Sequence, residues 1–371
     1  MKKTVFLGIF YFIIINKTVA QTTDGPYIFY QNKDNNSAKI LQVRPEVVND
    51  TTQYKIALSE IENIDKNDVL SFDVEVYNKK KETFNVLLQK EYVKEQSEYS
   101  EPPKLLALSD LEGNFYAYKK MLISAGVMSK DYQWVYGDGH LVIVGDMFDR
   151  GDNVTQCLWL TYELERQAKQ FGGKVHLIIG NHENMNLRGN TKYVKSKYKN
   201  LAEQLKIPYK ELFGTHTELG KWLRTKNAVV KIGNTIYVHA GLSIDLVNNQ
   251  YSLNDINRIA KKYYGNPNRK KIEESALVFS TKRGPLWYRG YFKNMDVSNI
   301  DITDILTYYD ANYIVVGHTI QKKINASYKK RIIAIDLKHP KNESDGKLSM
   351  LLKENNVFYT LDEDRNKIKL K

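Results

Sequence analysis

Five short apolar runs in this chain each end in a cluster of glycine with acidic, amide or imidazole residues. That recurrence limits the fold more than any other feature. Leu105–Leu108 runs into Ser109-Asp110-Leu111-Glu112-Gly113-Asn114, and Leu141–Val144 into Gly145-Asp146-Met147-Phe148-Asp149-Arg150-Gly151. Val175–Ile179 leads to Gly180-Asn181-His182-Glu183, Thr235–Val238 to His239-Ala240-Gly241, and Tyr313–Val316 to Gly317-His318-Thr319. Short apolar runs bounded by turn residues read as buried strands. Residues 114–125 and 154–170 carry helical spacing, so strands and helices alternate, which indicates an α/β layer fold. Ligand sites collect where such strands end. Further strands are expected at Arg331–Ile335 and in two hairpins, one around Gly233-Asn234 and one spanning Leu348–Leu361 around Asn355-Asn356. Residues 190–226 and 252–275 are rich in Lys and Tyr with helical spacing, and are expected to form a cap beside the site.

The five loops deliver Asp110, Glu112, Asp146, Asn181, His239 and His318. These are oxygen and imidazole donors without a thiolate, a set suited to Mn, Fe, Mg or Zn. A carboxylate shared by two ions about 3.5–4 Å apart is a usual arrangement for phosphate-ester hydrolysis. Asp110 and Glu112 are two apart, so on an extended segment both would point the same way and reach one ion.

Composition narrows the setting. The only cysteine is Cys157, which excludes an internal disulfide and reads as an inert core thiol. The formal charge is +12. The lysines are spread along the whole chain without a nucleic-acid motif, so no nucleic-acid partner is expected. Lys2 and Lys3, the apolar run Val5–Ile15 and the small-residue site Thr18-Val19-Ala20 read as a signal peptide over residues 1–20. The mature protein is then secreted or periplasmic, carries +9, and has no stable membrane insertion. Residues 21–100 read as a β-rich accessory domain, with strands near Tyr27–Tyr30, Ala38–Val43, Tyr54–Leu58, Val69–Val76 and Thr83–Leu88. Lys94–Pro103, ending in two prolines, reads as a linker to a catalytic domain over residues 104–371.

In their order, Asp110-x-Glu112-Gly113, Gly145-Asp146-x-x-Asp149-Arg150-Gly151, Gly180-Asn181-His182-Glu183, His239-Ala240-Gly241 and Gly317-His318-Thr319 resemble the calcineurin-like metallophosphoesterase superfamily. The resemblance spans about residues 104–340 and is strongest to bacterial Shewanella-like phosphoprotein phosphatases. His239-Ala240-Gly241-Leu242-Ser243 and Pro285-Leu286-Trp287-Tyr288-Arg289-Gly290 are similar to that group in particular. The resemblance implies a central β-sandwich flanked by helices and two metal ions per chain. Asp110 and Glu112 would hold the first ion, Asp146 would bridge, and Asn181, His239 and His318 would hold the second. It also implies that a hydroxide bridging the metals attacks and that His182 protonates the leaving alcohol, oriented by Asp149. Arg150 and a second arginine, taken as Arg289 with Arg283 and Arg188 as competitors, would bind phosphate oxygens. The family usually places histidine where Glu112 stands, which puts the metal identity in question.

Other readings stand beside these. Glu112 could favour a helix N-terminus, and Asp149 and Arg150 could form a structural ion pair. Glu183 is expected to stabilise its loop. Trp287, Tyr288, Tyr291 and Phe292 could line a pocket or belong to the core. The expected activity is hydrolysis of phosphomonoesters on phosphoproteins or phosphotyrosine. The alternatives are nucleotides or other small phosphates, including diesters, and a metal-binding pseudoenzyme. Oligomeric state is not legible. If the leader is read correctly, N-terminal sequencing of the natively expressed protein will start near Gln21, and recovery of Met1 would overturn the reading.

Overall fold

The structure, a computed structural model, describes residues 23–370 apart from 33, 49–50, 65–68, 79, 93–94 and 295–296. The expected leader lies outside the described residues. The chain begins with an antiparallel sheet of β1 (Asp24–Tyr30), β2 (Ala38–Val48) and β3 (Thr51–Ile61), followed by the hairpin β4 (Ser71–Asn78) and β5 (Lys80–Leu87). Then come β6 (Glu98–Tyr99), β7 (Lys104–Leu108), α1 (Phe115–Ser124), β8 (His140–Ile143), α2 (Val154–Gln170), β9 (Lys174–Leu177) and α3 (Asn181–Leu187). Helices α4 (Ser196–Gln204) and α5 (Glu218–Arg224) precede the hairpin β10 (Val229–Ile232) and β11 (Thr235–Val238). Helices α6 (Ile244–Asn248), α7 (Leu253–Tyr263), α8 (Glu273–Ala276) and α9 (Asn299–Tyr308) follow. The last part holds β12 (Tyr313–Val316), β13 (Asn325–Ser327), β14 (Ile332–Ala334), α10 (His339–Ser344), β15 (Ser349–Glu354), β16 (Val357–Asp362) and β17 (Lys367–Lys369).

Successive residues of the central strands face two different cores, as a period of two requires. Leu105, Ala107, Val142, Tyr237, Val315 and Ile333 share one core. Their neighbours Leu106, Leu108, Leu141, Ile143, Ile236, Val238, Ile314 and Ile332 belong to a larger one. The first core is the inside of a sandwich of two six-stranded sheets, ordered β17-β16-β15-β7-β8-β9 and β13-β14-β12-β11-β10-β6. The second lies between those sheets and the outer helices. Strands apolar on both faces appear as unbroken hydrophobic runs, which is why the sequence showed no alternation in them.

The sheet register positions the site. β7, β8 and β9 are parallel neighbours, as are β11 and β12, and β12 and β14. Within each sheet, the loops after these strands therefore leave by one edge.

Three expectations change on contact with the structure. The expected linker carries β6, which pairs in parallel with β10 through Glu98 and Tyr99 and so edges a central sheet. Its backbone groups find partners there that a free linker would leave to water. Residues 252–275 do not all cap the site. Leu253, Ile256, Ile259 and Ala260 are buried on one face of α7, and Asn257 accepts from the backbone N–H groups of Ala228 and Val229 at 2.8 and 3.1 Å. That places α7 in the layer outside β10. The β-rich segment also meets the rest of the chain closely. Fourteen of the seventeen residues of α2 are buried, more than one sheet-facing stripe can account for. The other side of α2 is covered by the N-terminal strands. Trp159 donates to the Pro26 carbonyl at 2.9 Å and packs edge-on to Phe72, and Leu87 N–H donates to Glu163 at 3.0 Å. Cys157 is buried in this helix.

His176 and His140 form a pair inside the sandwich, with Nε2 and Nδ1 3.1 Å apart. One must accept from the other, so both cannot be protonated. Burial and then Lys174 push His140 down to about 4, and burial and then His140 hold His176 well below its usual value. The unfolded imidazoles titrate near about 6.5. Unfolding therefore takes up protons below that pH, and the stability held by the neutral pair is lost as pH falls toward about 4. A thermal melt series is expected to show Tm falling from pH 6.5 to 4.5, with a shallower slope in His176→Gln. Parallel slopes would mean that the pair is protonated in the fold.

Candidate active site

All ten residues singled out as ligands or catalytic groups lie on the loops after β7, β8, β9, β11 and β12 or beside them. The backbone there is held in uncommon conformations. Asp110, Glu112, Asp146, Asp149, Arg150 and His318 all have positive φ, between 47° and 74°. Such residues cost on the order of 1–3 kcal/mol each and persist only where the surroundings over-determine them. The close approach of the loops is one such constraint. A Cβ on Gly317 would strike the Ser109 hydroxyl and the Asp110 carboxylate, and one on Gly180 would strike Asp146.

Glu183 joins two of the loops. Its fully buried carboxylate accepts from Gly180 N–H at 2.7 Å, Asp146 N–H at 2.9 Å, Met147 N–H at 2.7 Å and Phe148 N–H at 3.3 Å. Burial, and then the nearby Asp146 charge, push it up to about 7. This is the loop-stabilising role expected of it.

Within this frame, electron-pair donors converge. His239 Nδ1 donates to the Val144 carbonyl at 2.8 Å, which leaves Nε2 as the lone-pair nitrogen of the neutral ring. That Nε2 faces Asn181 Oδ1 at 2.9 Å, Asp146 Oδ2 at 3.1 Å and His318 Nδ1 at 3.2 Å. Asp146, His239 and His318 are all buried and could hold a metal ion together. Burial disfavours a charged His239, yet Asp146 and Asp110 overcome it and push the ring to about 10. The cluster thus calls for positive charge, and a cation answers that call as a proton does. Oxygen and imidazole donors with no thiolate fit a divalent ion of the first transition row or magnesium. Asp110 lies alongside, its Oδ2 accepting from His318 N–H at 3.0 Å and from the Ser109 hydroxyl. Burial, opposed by His239 and reinforced by the Asp146 charge, pushes it up to about 6.

Glu112 behaves differently from the rest. The segment Asp110–Glu112 is not extended, since both residues have positive φ, so the same-face argument drawn from an extended strand does not apply to it. Glu112 pairs with Arg150 instead. The Glu112 side chain is only 18% exposed, so the pair is part-buried and would have to open for Glu112 to reach an ion.

His182 stands opposite the donors. Its Nδ1 donates to Asp149 Oδ2 at 2.5 Å, and its Nε2 faces Asp146 Oδ2 at 3.7 Å. Burial works against the imidazolium, but Asp146 and then Asp149 raise its pKa above the usual value. Arg289 donates to the His318 carbonyl at 3.1 Å and to Thr319 at 3.2 Å. Its competitor Arg283 instead pairs with Asp245 at the surface, at 3.0 Å. Tyr193 stacks 5.2 Å from His182 with the Arg150 guanidinium over its ring. Trp287 packs edge-on to His318. Tyr288 and Tyr291 are buried, and Tyr291 bonds to Leu242, so these two belong to the core.

Residues 103–322 match the calcineurin-like phosphoesterase family. The chain belongs to that family. This phosphoesterase is 30% identical to Shewanella-like protein phosphatase 1 of Plasmodium berghei over 225 residues, 59% of this chain and 61% of that protein. It is 25% identical to Shewanella-like protein phosphatase 2 of Arabidopsis thaliana over 301 residues, 68% of this chain and 75% of that one. Among solved structures it is similar to a cold-active protein-tyrosine phosphatase of a psychrophilic Shewanella species. The TM-score is 0.79 at 28% identity, covering 94% of this chain and 99% of the other. Coverage of that extent takes in the N-terminal strands, so the likeness reaches beyond the residues 104–340 on which the motifs lie.

Two groups in this phosphoesterase escaped sequence reasoning. Asn186 donates to Asp149 Oδ1 at 3.0 Å and accepts from the Tyr209 hydroxyl at 2.6 Å. It lies one helical turn beyond His182 on α3, a spacing that could have drawn attention to it. Asp336 follows β14 and is 3% exposed. Burial and then Asp110 push its carboxyl up to about 9. It ends an apolar strand as the other site residues do, but no glycine or histidine accompanies it.

Asn186 fixes the second oxygen of Asp149, and a hydrogen bond to a charged group is worth about 1.5–3 kcal/mol. Asn186→Ala is therefore expected to lower kcat on alkyl phosphates by roughly 10–100-fold with metal content unchanged. Full activity in that variant would mean that Asp149 needs only His182.

Proposed function

We propose that this phosphoesterase is a secreted, metal-dependent phosphomonoesterase acting on phosphorylated protein, with phosphotyrosine as its preferred side chain. The observation that carries the reading is the His182–Asp149 pair, 2.5 Å apart, facing a buried cluster of metal-ligating donors. Asp146, Asn181, His239 and His318 would hold one ion, and Asp110 with Asp146 and Glu112 a second. Ions bound there would place positive charge on the phosphate oxygens and acidify an attacking water.

The chain's own groups supply the rest. Asp149 fixes the His182 tautomer, so the proton available to the leaving oxygen is the one on Nε2. Arg150 and Arg289 offer planar guanidinium groups to the phosphate oxygens. Arg289 is held at the His318 backbone, whereas Arg150 is half-exposed and held by Glu112 beside the Tyr193 ring. Tyr193 presents a partly exposed ring between Arg150 and His182, an aromatic wall that suits an aryl leaving group. The likeness to a protein-tyrosine phosphatase agrees with that preference. The apolar run at the N-terminus supports export, and no helix among the described residues is long and apolar enough to cross a membrane.

The test uses His182→Ala on paired substrates. An alkoxide leaves only when protonated, so the rate on alkyl phosphates is expected to fall by about 10²–10⁴-fold. p-Nitrophenolate leaves without a proton, so the loss on p-nitrophenyl phosphate is expected to be much smaller. Equal losses would remove the acid role. Turnover of bis-p-nitrophenyl phosphate at a rate comparable to the monoester would replace the monoesterase reading with a diesterase one.

A further inference from the structure

We propose that Asp336 is a metal-site carboxylate, completing the ion site on the Asp110 side of the cluster; this rests on the metal-dependent reading above. Three observations carry it. The first is position. β14 is the parallel neighbour of β12, with Val316 opposite Ala334. Asp336 therefore leaves the sheet by the same edge as His318. The Ile335 N–H donates to the Val316 carbonyl at 2.9 Å and the Gln321 N–H to the Asp336 carbonyl at 2.8 Å. The main chain at this point is thus tied to the His318 loop on both sides.

The second is the state of its side chain. Asp336 is 3% exposed, yet among the described residues its carboxylate takes part in no hydrogen bond or ion pair within 4 Å. The other buried carboxylates of the site are all engaged. Asp110 accepts from His318 and Ser109, Asp146 from His182, Asp149 from His182 and Asn186, and Glu183 from four backbone N–H groups. A nearly buried carboxyl without a hydrogen bond is costly in its charged form, and that form is favoured where a cation answers it.

The third is its company. The charge Asp336 feels most strongly is that of Asp110, followed by His239, Asp146 and Arg150. Arg289 in turn feels Asp336 more than any other carboxylate. Three buried carboxylates, Asp110, Asp146 and Asp336, thus share one region. Asn181, His239 and His318 serve the other side, and Glu112 is turned toward Arg150. The Asp110 side has only carboxylates to offer, and the all-oxygen set that results favours a hard ion such as Mn or Mg over Zn.

The experiment is titration of metal-free protein with Mn²⁺ alone, by calorimetry and by metal analysis after dialysis, for wild type, Asp336→Asn and Asp336→Ser. Both variants remove the carboxyl, and Ser guards against new hydrogen bonds made by the Asn amide. In wild type two Mn²⁺ are expected. In the variants the weaker ion is expected to bind roughly 10–100-fold less tightly or to be lost, while the tighter one is retained. A second readout separates a ligand from a structural residue. In EDTA the variants are expected to melt close to the wild-type temperature, because without a cation burial keeps this carboxyl protonated and it has no hydrogen bond to lose. In Mn²⁺ they are expected to melt below it. Two ions bound with wild-type affinity in both variants would overturn the proposal, as would a variant that melts lower in EDTA and gains as much from Mn²⁺ as wild type. If wild type itself binds no Mn²⁺, the metal-dependent reading fails, and this inference with it.

Discussion

Four backbone N–H groups from two loops point at the carboxylate of Glu183, and the rest of the site depends on that contact. The loop after β8 and the start of α3 come from neighbouring parallel strands, and neither loop has an intrinsic reason to hold its conformation. Asp146 sits at φ 56° and Asp149 at 74°, outside the region an L-residue prefers. Charge-assisted hydrogen bonds in a buried place are strong enough to offset such strain. With the loops locked together, Asp146 accepts from the His182 backbone and faces His239. One fully buried carboxylate thereby sets the geometry of the donors around it.

The second constraint is charge. The site buries Asp110, Asp146, Asp149 and Asp336 together, and carboxylates at such density cannot all stay ionised by mutual contact alone. The pKa directions follow. Asp146, pressed upward by burial, is held low by His239 and His182, while Asp110 and Asp336 are raised and the imidazoles of His239 and His182 take on positive charge. A site with this balance attracts cations and positions arginines at its rim. That is the electrostatic setting phosphate chemistry requires. Arg150 and Arg289 differ in how they are held, one by a part-buried pair with Glu112 and the other by the backbone after β12.

The N-terminal strands take part in the support. Glu218 of α5 accepts from the hydroxyls of Tyr30, Tyr92 and Tyr162, which come from the β-rich segment, the stretch after it and α2. The helix that backs the first central sheet is therefore gripped from its far side. Polar groups buried in α2 find partners at this contact or on the helix itself: Gln156 Nε2 donates to the Thr23 and Glu75 carbonyls and Thr161 to the Cys157 carbonyl.

Much of the architecture was legible in the chain. The apolar runs predicted β7, β8, β9, β11 and β12, the helical spacing predicted α1 and α2, and the hairpins at Gly233-Asn234 and Asn355-Asn356 stand where expected. These features are local, carried by burial on both faces and by turn residues, so a linear reading reaches them. The ordered polar clusters likewise named the loops of the site and the family. Tertiary structure decided what local patterns do not encode. Asp110 and Glu112 take different partners, His318 and Arg150, from a turn in which both adopt left-handed backbone. Glu98 and Tyr99 form a strand because β10 offers its edge to them, Lys231 opposite Glu98 and Ile232 opposite Tyr99, from 133 residues later in the chain. Asn186 reaches Asp149 from a helix face, and Asp336 leaves the sheet by the same edge as His318 through a parallel register; neither placement is announced by a local motif. The sequence by itself determined which residues could bind metal and phosphate. Only the fold decided which of them meet, because long-range strand pairing and the burial of charge are properties of the packed chain as a whole.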